Sequence, residues 1–286
     1  MLEPPAIESD IQLLLIECQD EPGLIHKITG VLLRHRFNII RNDEFVDETA
    51  ARFFMRTEFT GSAETGPWLD EMKAVLPSGA SVRLANPGNR SIVILATREH
   101  HCVAELLVRN AYRELGAKVL AVISNYNTLA PLVRQFGIPF EHVSHAQISR
   151  EEHESALAAA LDRYAPDYIV LAKYMRILSG GFVGRYVRRM INIHHSFLPA
   201  FIGAEPYQQA FARGVKIIGA TAHFVTEELD DGPISCPDTF PVDHTHSARQ
   251  MAQTGRDIEK LVLARGLRLV LEERVFLSGN RTIIFD

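Results

Sequence analysis

From residue 91 to residue 224, short apolar runs alternate with segments of helical period, and few folds accept that rhythm. Strand-like runs fall at 91–96, 117–124, 168–171, 189–193 and 215–224, with helical patterns at 102–115, 129–136 and 151–164 between them. Strand–helix–strand alternation predicts a parallel, doubly wound α/β sheet with helices on both faces, and such sheets bind ligands beyond the carboxyl ends of their strands. The longest helical pattern, at 247–272, and a short strand at 282–285 complete this part of the chain.

The first 84 residues follow another plan. Residues 11–16 read as a strand that Asp20-Glu21-Pro22-Gly23 interrupts. Leu24, Ile25, Ile28, Val31 and Leu32 then recur with a helical period. Strands beginning at Asn38 and Ala51, a helix over 68–76 and a strand over 81–84 give the order βαββαβ, the ferredoxin-like plan. Turn formers in Asn86-Pro87-Gly88-Asn89 mark a linker. The predicted domains are residues 1–84 and 91–286, joined by 85–90.

Bulk properties remove several classes of function. A net charge of −5 offers no broad basic surface, which disfavours nucleic acid as a partner. Three scattered cysteines make no disulfide framework. Met1-Leu2-Glu3-Pro4-Pro5 is no signal peptide, and no run has the length of a membrane span, so a reducing, cytoplasmic setting without a membrane partner is expected.

The densest chemistry lies in Asn192-Ile193-His194-His195-Ser196-Phe197-Leu198-Pro199 and in Leu229-Asp230-Asp231-Gly232-Pro233. Alternate side chains of a strand point the same way, so Asn192 and His194 should face one pocket while Ile193 faces the core and His195 points away from His194. An amide donor, an imidazole and a carboxylate suit acyl-group chemistry: one polarises a carbonyl, one moves a proton and one positions the attacker.

These residues resemble the signature of the folate-dependent formyl transferase and hydrolase superfamily, and most closely its deformylase branch. The resemblance is carried by Asn192-x-His194, Ser196-x-Leu198-Pro199, and His223-Phe224-Val225-Thr226 through Asp230-x-Gly232-Pro233. Longer runs at 171–178, 192–204, 214–223, 255–260 and 279–282 extend it. It implies a Rossmann-like formyltransferase-type domain and hydrolysis of 10-formyltetrahydrofolate, with water as the second reactant, to tetrahydrofolate and formate. Asn192 and His194 would act on the carbonyl oxygen or the leaving nitrogen, and Asp230 on the attacking water. Met175, Arg176, Ile177 and Leu178 would receive the pterin, through backbone groups above all, although the side chains of Met175 and Leu178 fit a core role equally well. Thr226 and Leu229, on the loop reaching Asp230, would close its other side. His223 fits a supporting role or a buried strand position equally.

Asp20-x-Pro22-Gly23-Leu24 and Asn38-Ile39 resemble an ACT domain, which implies self-association into a homo-oligomer and suggests an amino-acid effector; a purely structural dimerisation role is nearly as well supported. The chain departs from the deformylase pattern at Tyr126, Glu205 and Gln208.

Rival readings fare worse. The histidines and cysteines at 100–102, 223, 236, 244 and 246 follow no known zinc spacing, so neither a metal nor any other cofactor is expected, folate being the substrate. No Gly-x-Ser-x-Gly elbow or dinucleotide fingerprint is present. The first βα turn, Thr97-Arg98-Glu99-His100-His101-Cys102, lacks the glycines of a phosphate cradle, which favours water over a phosphorylated acceptor. Formyl transfer to a small amine, or a folate-binding sensor with little turnover, are the alternatives.

Overall fold

A computed structural model describes residues 11–61, 65–85, 90–195, 206–228 and 232–286. The chain divides into two compact units, Met1–Pro87 with Ile283–Asp286, and Gly88–Thr282.

In the first unit, β1 (Gln12–Gln19), α1 (Leu24–Arg34), β2 (Asn38–Asp47), β3 (Arg52–Thr60), α2 (Thr65–Val75) and β4 (Ser81–Ala85) follow the predicted order. The sheet runs β2-β3-β1-β4, antiparallel throughout. Alternate residues of β1 face the helices: Leu14, Ile16 and Cys18 meet Ile28, Val31 and Leu32 of α1 and Trp68 and Met72 of α2. Trp68 packs edge-on against Phe37 at 5.0 Å and Phe59 at 5.6 Å between ring centroids, the geometry that aromatic quadrupoles favour.

The second unit contains β5 (Arg90–Ala96), α3 (His101–Ala111), β6 (Ala117–Ser124), α4 (Ala130–Gln135), β7 (Phe140–His142), α5 (Arg150–Tyr164), β8 (Tyr168–Ala172), α6 (Gly180–Arg185), β9 (Met190–His194), α7 (Pro206–Ala212), β10 (Ile217–Phe224), β11 (Ile234–Pro241), α8 (Ala248–Leu271) and β12 (Val275–Ser278); β13 (Arg281–Ile284) begins in it and ends in the residues grouped with the first unit. The large sheet has the order β11-β10-β9-β8-β5-β6-β7. Its five strands from β7 to β9 are parallel, four of them where the alternation predicts and the fifth, β7, an addition. The sheet is not parallel throughout, however: β10 and β11 run antiparallel. Parallel neighbours need a long crossover, whereas β10 and β11 are joined by the short stretch from Val225 to Pro233. Pro237 and Pro241 lie on β11, an edge strand, where a missing backbone donor is tolerated.

Alternation sends Ile92, Ile94, Val170, Ile191 and Ile193 to one face, under Leu106 and Leu107 of α3 and Val262, Leu263 and Leu267 of α8. Val93, Leu95, Ile169, Leu171 and Met190 go to the other, under Leu157 and Leu161 of α5 and Phe182 of α6. Both α5 and α8 begin with reciprocal capping boxes, Ser149 with Glu152 and Ser247 with Gln250. Strand order reverses between β5 and β8, so the crevice beyond their carboxyl ends is where such a sheet takes a ligand. No described helix is long and apolar enough to cross a membrane.

Trp68 is 1 % exposed. Trp68→Ala is expected to cost about 3–5 kcal/mol in the first unit, measured by denaturant unfolding followed by circular dichroism.

Candidate functional site

β9 carries the centre of the site. Met190 joins the core on the α5 side, and Asn192 and His194 follow it on that face by strand parity, with Ile191 and Ile193 opposed. Asn192 pairs with Leu171 of parallel β8 and with His223 of antiparallel β10. Directly opposed residues of an antiparallel pair share a face. The Asn192 amide nitrogen accordingly lies 3.1 Å from Nε2 of His223, whose Nδ1 lies 2.9 Å from the Phe224 carbonyl oxygen. A carbonyl can only accept, so Nδ1–H donates to it. In the neutral ring Nε2 is then an acceptor, which turns the Asn192 NH2 group toward it and fixes the amide's orientation. One further N–H of that amide stays available to a ligand. Sequence reasoning left His223 between a supporting role and a buried strand position; the structure buries it on β10, in contact with the Asn192 amide.

These residues stand on the wall of a cavity of ≈ 320 Å³. Tyr174, Met175, Arg176, Ile177 and Leu178 line one side of it, and Thr226, Glu227 and Glu228 also contribute. Met175 and Ile177 are 58 % and 62 % exposed, so neither is a core residue, whereas Leu178 packs on the α5-side core. The segment is pinned at several points. Thr97, at the end of β5, accepts from the Met175 N–H at 2.9 Å across the reversal of strand order. Glu154 of α5 accepts from the Ser179 N–H at 2.7 Å and from its hydroxyl, while Ser179 caps α6. Burial raises the Glu154 carboxyl, but the bonds from Ser179 and from Arg150 prevail and hold it below the ordinary carboxylate value. The Tyr174 hydroxyl is buried without a hydrogen-bond partner, and burial pushes its pKa up.

His195 corrects the sequence reading. It does not point away from His194: the rings stack at 5.0 Å between centroids and 18° between planes, and both line the cavity. β9 ends at His194, so strand parity no longer governs the next residue. Leu229, Asp230, Asp231 and the run from Ser196 to Glu205 lie outside the described residues. The neck of the loop that contains Asp230 is described. The Phe224 N–H donates to the Pro233 carbonyl at 2.9 Å, and Gly232 comes so close to Phe224 that a Cβ would stand 1.7 Å from its carbonyl oxygen. Among the positions that depart from the resemblance, Gln208 is exposed on α7, and Tyr126 packs against His145 while Arg98 lies 3.9 Å above its ring.

Sequence reasoning placed Lys173 at the head of the segment resembling a folate-binding segment, but gave Glu259 no role and did not pair the two. Glu259, on α8, accepts from the Tyr207 hydroxyl at 2.8 Å; its other oxygen is 2.7 Å from His101 Nε2 and 3.3 Å from Lys173 Nζ. Burial alone raises this carboxyl, but the hydrogen bond from His101, the charge of Lys173 and the hydrogen bond from Tyr207 bring it down to about 2. Among the described residues, His101, Cys102 and Glu259 have the spacing to hold a metal ion. They suit one poorly: Glu259 already has Lys173, Tyr207 and His101 as partners, and burial keeps the Cys102 thiol well above its ordinary value, against the thiolate a metal requires.

Family comparison gives this architecture its class. The formyl transferase family model matches residues 90–267 and the ACT domain model residues 12–76. The chain belongs to the formyl transferase family, with an ACT domain ahead of the formyl transferase domain. A formyltetrahydrofolate deformylase from Escherichia coli is 54 % identical over 93 % of this chain and 95 % of its own length. The crystal structure of a formyltetrahydrofolate deformylase from Pseudomonas syringae superimposes with a TM-score of 0.92 at 37 % identity, covering 98 % of this chain and 96 % of that one. A glycinamide ribonucleotide transformylase from Symbiobacterium toebii, at 30 % identity and a TM-score of 0.67, matches over its whole length but covers 73 % of this chain.

Two predictions follow from these contacts. Glu259 has a folded pKa below its ordinary 4.5, so the stability it contributes is present above pH 4.5 and is lost as pH falls toward about 2. The thermal midpoint should drop across that window, and Glu259→Gln should remove that component of the drop. Gly232→Ala must displace backbone at the loop neck; a loss of about 1–3 kcal/mol is expected in thermal unfolding, together with reduced turnover.

Proposed function

We propose that the protein hydrolyses 10-formyltetrahydrofolate to tetrahydrofolate and formate. The observation that carries this reading is the placement of Asn192 and His194 on one face of β9, at the wall of a cavity bordered by residues 174–178 and 226–228, in a chain whose relatives over nearly its full length are formyltetrahydrofolate deformylases. The pterin sits against Met175, Arg176, Ile177 and Leu178, with Thr226 also on the cavity wall and Leu229 as a further contact to be tested; a flat heterocycle needs both edge hydrogen bonds and contact with its face.

The chemistry proceeds in two stages. The oxygen of a water molecule bonds to the formyl carbon as Asp230 takes a proton from it. The carbonyl oxygen becomes an oxyanion, to which the Asn192 amide donates a hydrogen bond. The oxyanion re-forms the carbonyl as the carbon–nitrogen bond breaks, its electron pair stays on nitrogen, and His194 gives that nitrogen a proton; the formic acid released loses its remaining proton to solvent as formate, and the proton held by Asp230 restores His194. None of these steps calls for a metal or an organic cofactor. The ACT domain supports a homo-oligomer and an amino-acid effector. The three cysteines, all free and buried, fit a cytoplasmic setting in which thiols stay reduced. Neither nucleic acid nor a membrane is needed as a partner.

Formate release from 10-formyltetrahydrofolate, with and without a small amine acceptor, tests the reading. Wild type should release formate irrespective of the amine; a formylated amine would make it a transferase, and tight folate binding without formate over hours would make it a sensor. Asp230→Asn should abolish release, and Asn192→Ala should lower kcat about 10²–10³-fold while the fold persists by circular dichroism.

A further inference from the structure

Glu259 is 1 % exposed and Lys173 is 5 % exposed, yet the reaction above uses neither charge. A buried ion pair is poor value as packing, since apolar side chains of similar volume commonly stabilise a core as well or better. The surroundings of this one are specific. Gly255, one turn before Glu259 on α8, admits the Tyr207 ring: a Cβ there would lie 2.0 Å from the hydroxyl oxygen. Tyr207 and His101 then fix the carboxylate so that one oxygen meets the Lys173 ammonium.

Lys173 is where this cluster reaches the cavity. It lines the cavity and immediately precedes the segment from Tyr174 to Leu178. It lies two positions past Leu171, the partner of Asn192, and just beyond the end of β8. Its φ is +61°, a left-handed conformation that a side chain with a Cβ resists. Such conformations persist where the surroundings over-determine them. The far end of the segment has its own clamp, Glu154 on Ser179.

We propose that Glu259 and Lys173 are positioning residues: the buried pair holds the left-handed turn at Lys173 and thereby sets the backbone of residues 174–178 that receives the pterin. Neither residue touches the reacting atoms. The inference deepens the folate reading and rests on it for the ligand.

Glycine adopts φ +61° without a clamp, whereas alanine does not. Both leave nearly the same space when they replace lysine, so the doubles Lys173→Gly/Glu259→Gln and Lys173→Ala/Glu259→Gln isolate the turn from the charge. Tetrahydrofolate affinity is read by titration calorimetry, and formate-release kinetics give kcat and KM. The glycine double should bind within about threefold of wild type and the alanine double about tenfold more weakly, reflecting the cost of an unsupported left-handed residue. The alanine double should raise KM with kcat at saturation little changed, as expected when ground-state and transition-state binding fall together. Equal affinities for the two doubles overturn the proposal, whether both match wild type or both fall far below it. Should the doubles fail to fold, Tyr207→Phe keeps both charges and removes one bond to the carboxylate; it should weaken tetrahydrofolate binding about threefold, and an unchanged dissociation constant would overturn the clamp. Wild type that binds no tetrahydrofolate refutes the folate reading itself, an outcome distinct from equal affinities in the two doubles.

Discussion

β9 has a parallel neighbour on one side and an antiparallel neighbour on the other, and the site depends on that change of direction. The parallel bond to β8 places Asn192 beside Leu171, at the carboxyl end of the sheet where loops gather. The antiparallel bond to β10 puts His223 opposite Asn192 rather than in a distant loop. The register of β10 against β11 shifts between Ala222 and His223, and such irregularities re-aim side chains near functional sites. A one-residue slip of β9 would send Asn192 and His194 to the face covered by α3 and α8, so the apolar alternation that builds the core also aims the amide and the imidazole.

Around this strand the cavity is held by buried carboxylates. Glu154 acts from α5 and Glu259 from α8, on opposite faces of the sheet, and each is kept ionised by donors rather than by solvent. The five residues between their anchor points, from Tyr174 to Leu178, carry exposed apolar side chains at Met175 and Ile177. Exposed side chains gain little from packing, so the shape of the segment has to come from its ends and from the bond between Met175 and Thr97. A ligand that meets preformed backbone donors avoids the entropy of ordering them.

Much of this was legible in the sequence because the signals were periodic. The βαββαβ order, four of the five parallel strands (β5, β6, β8 and β9) and the shared face of Asn192 and His194 each follow from a repeat of two or of 3.6 residues. What escaped was what periodicity does not encode. β11 contains Pro237 and Pro241, which argue against a strand unless its edge position is known. α6 begins Gly180-Gly181, a weak helix signal, and β7 is too short to show alternation. His195 lies one residue beyond the strand, where parity lapses. Lys173 heads the segment that resembles a folate-binding segment, but nothing in the sequence pairs it with Glu259, 86 positions away, and its left-handed φ leaves no mark in composition.

The chain has a single tryptophan, Trp68, enclosed by Phe37 and Phe59 in the first unit. Its ultraviolet emission is therefore a spectroscopic label for that half of the molecule, while the half that contains the cavity has tyrosines, Tyr174 among them, but no tryptophan. Selective excitation of indole would record an event at the amino-terminal sheet against a background to which the carboxyl-terminal half contributes no indole light.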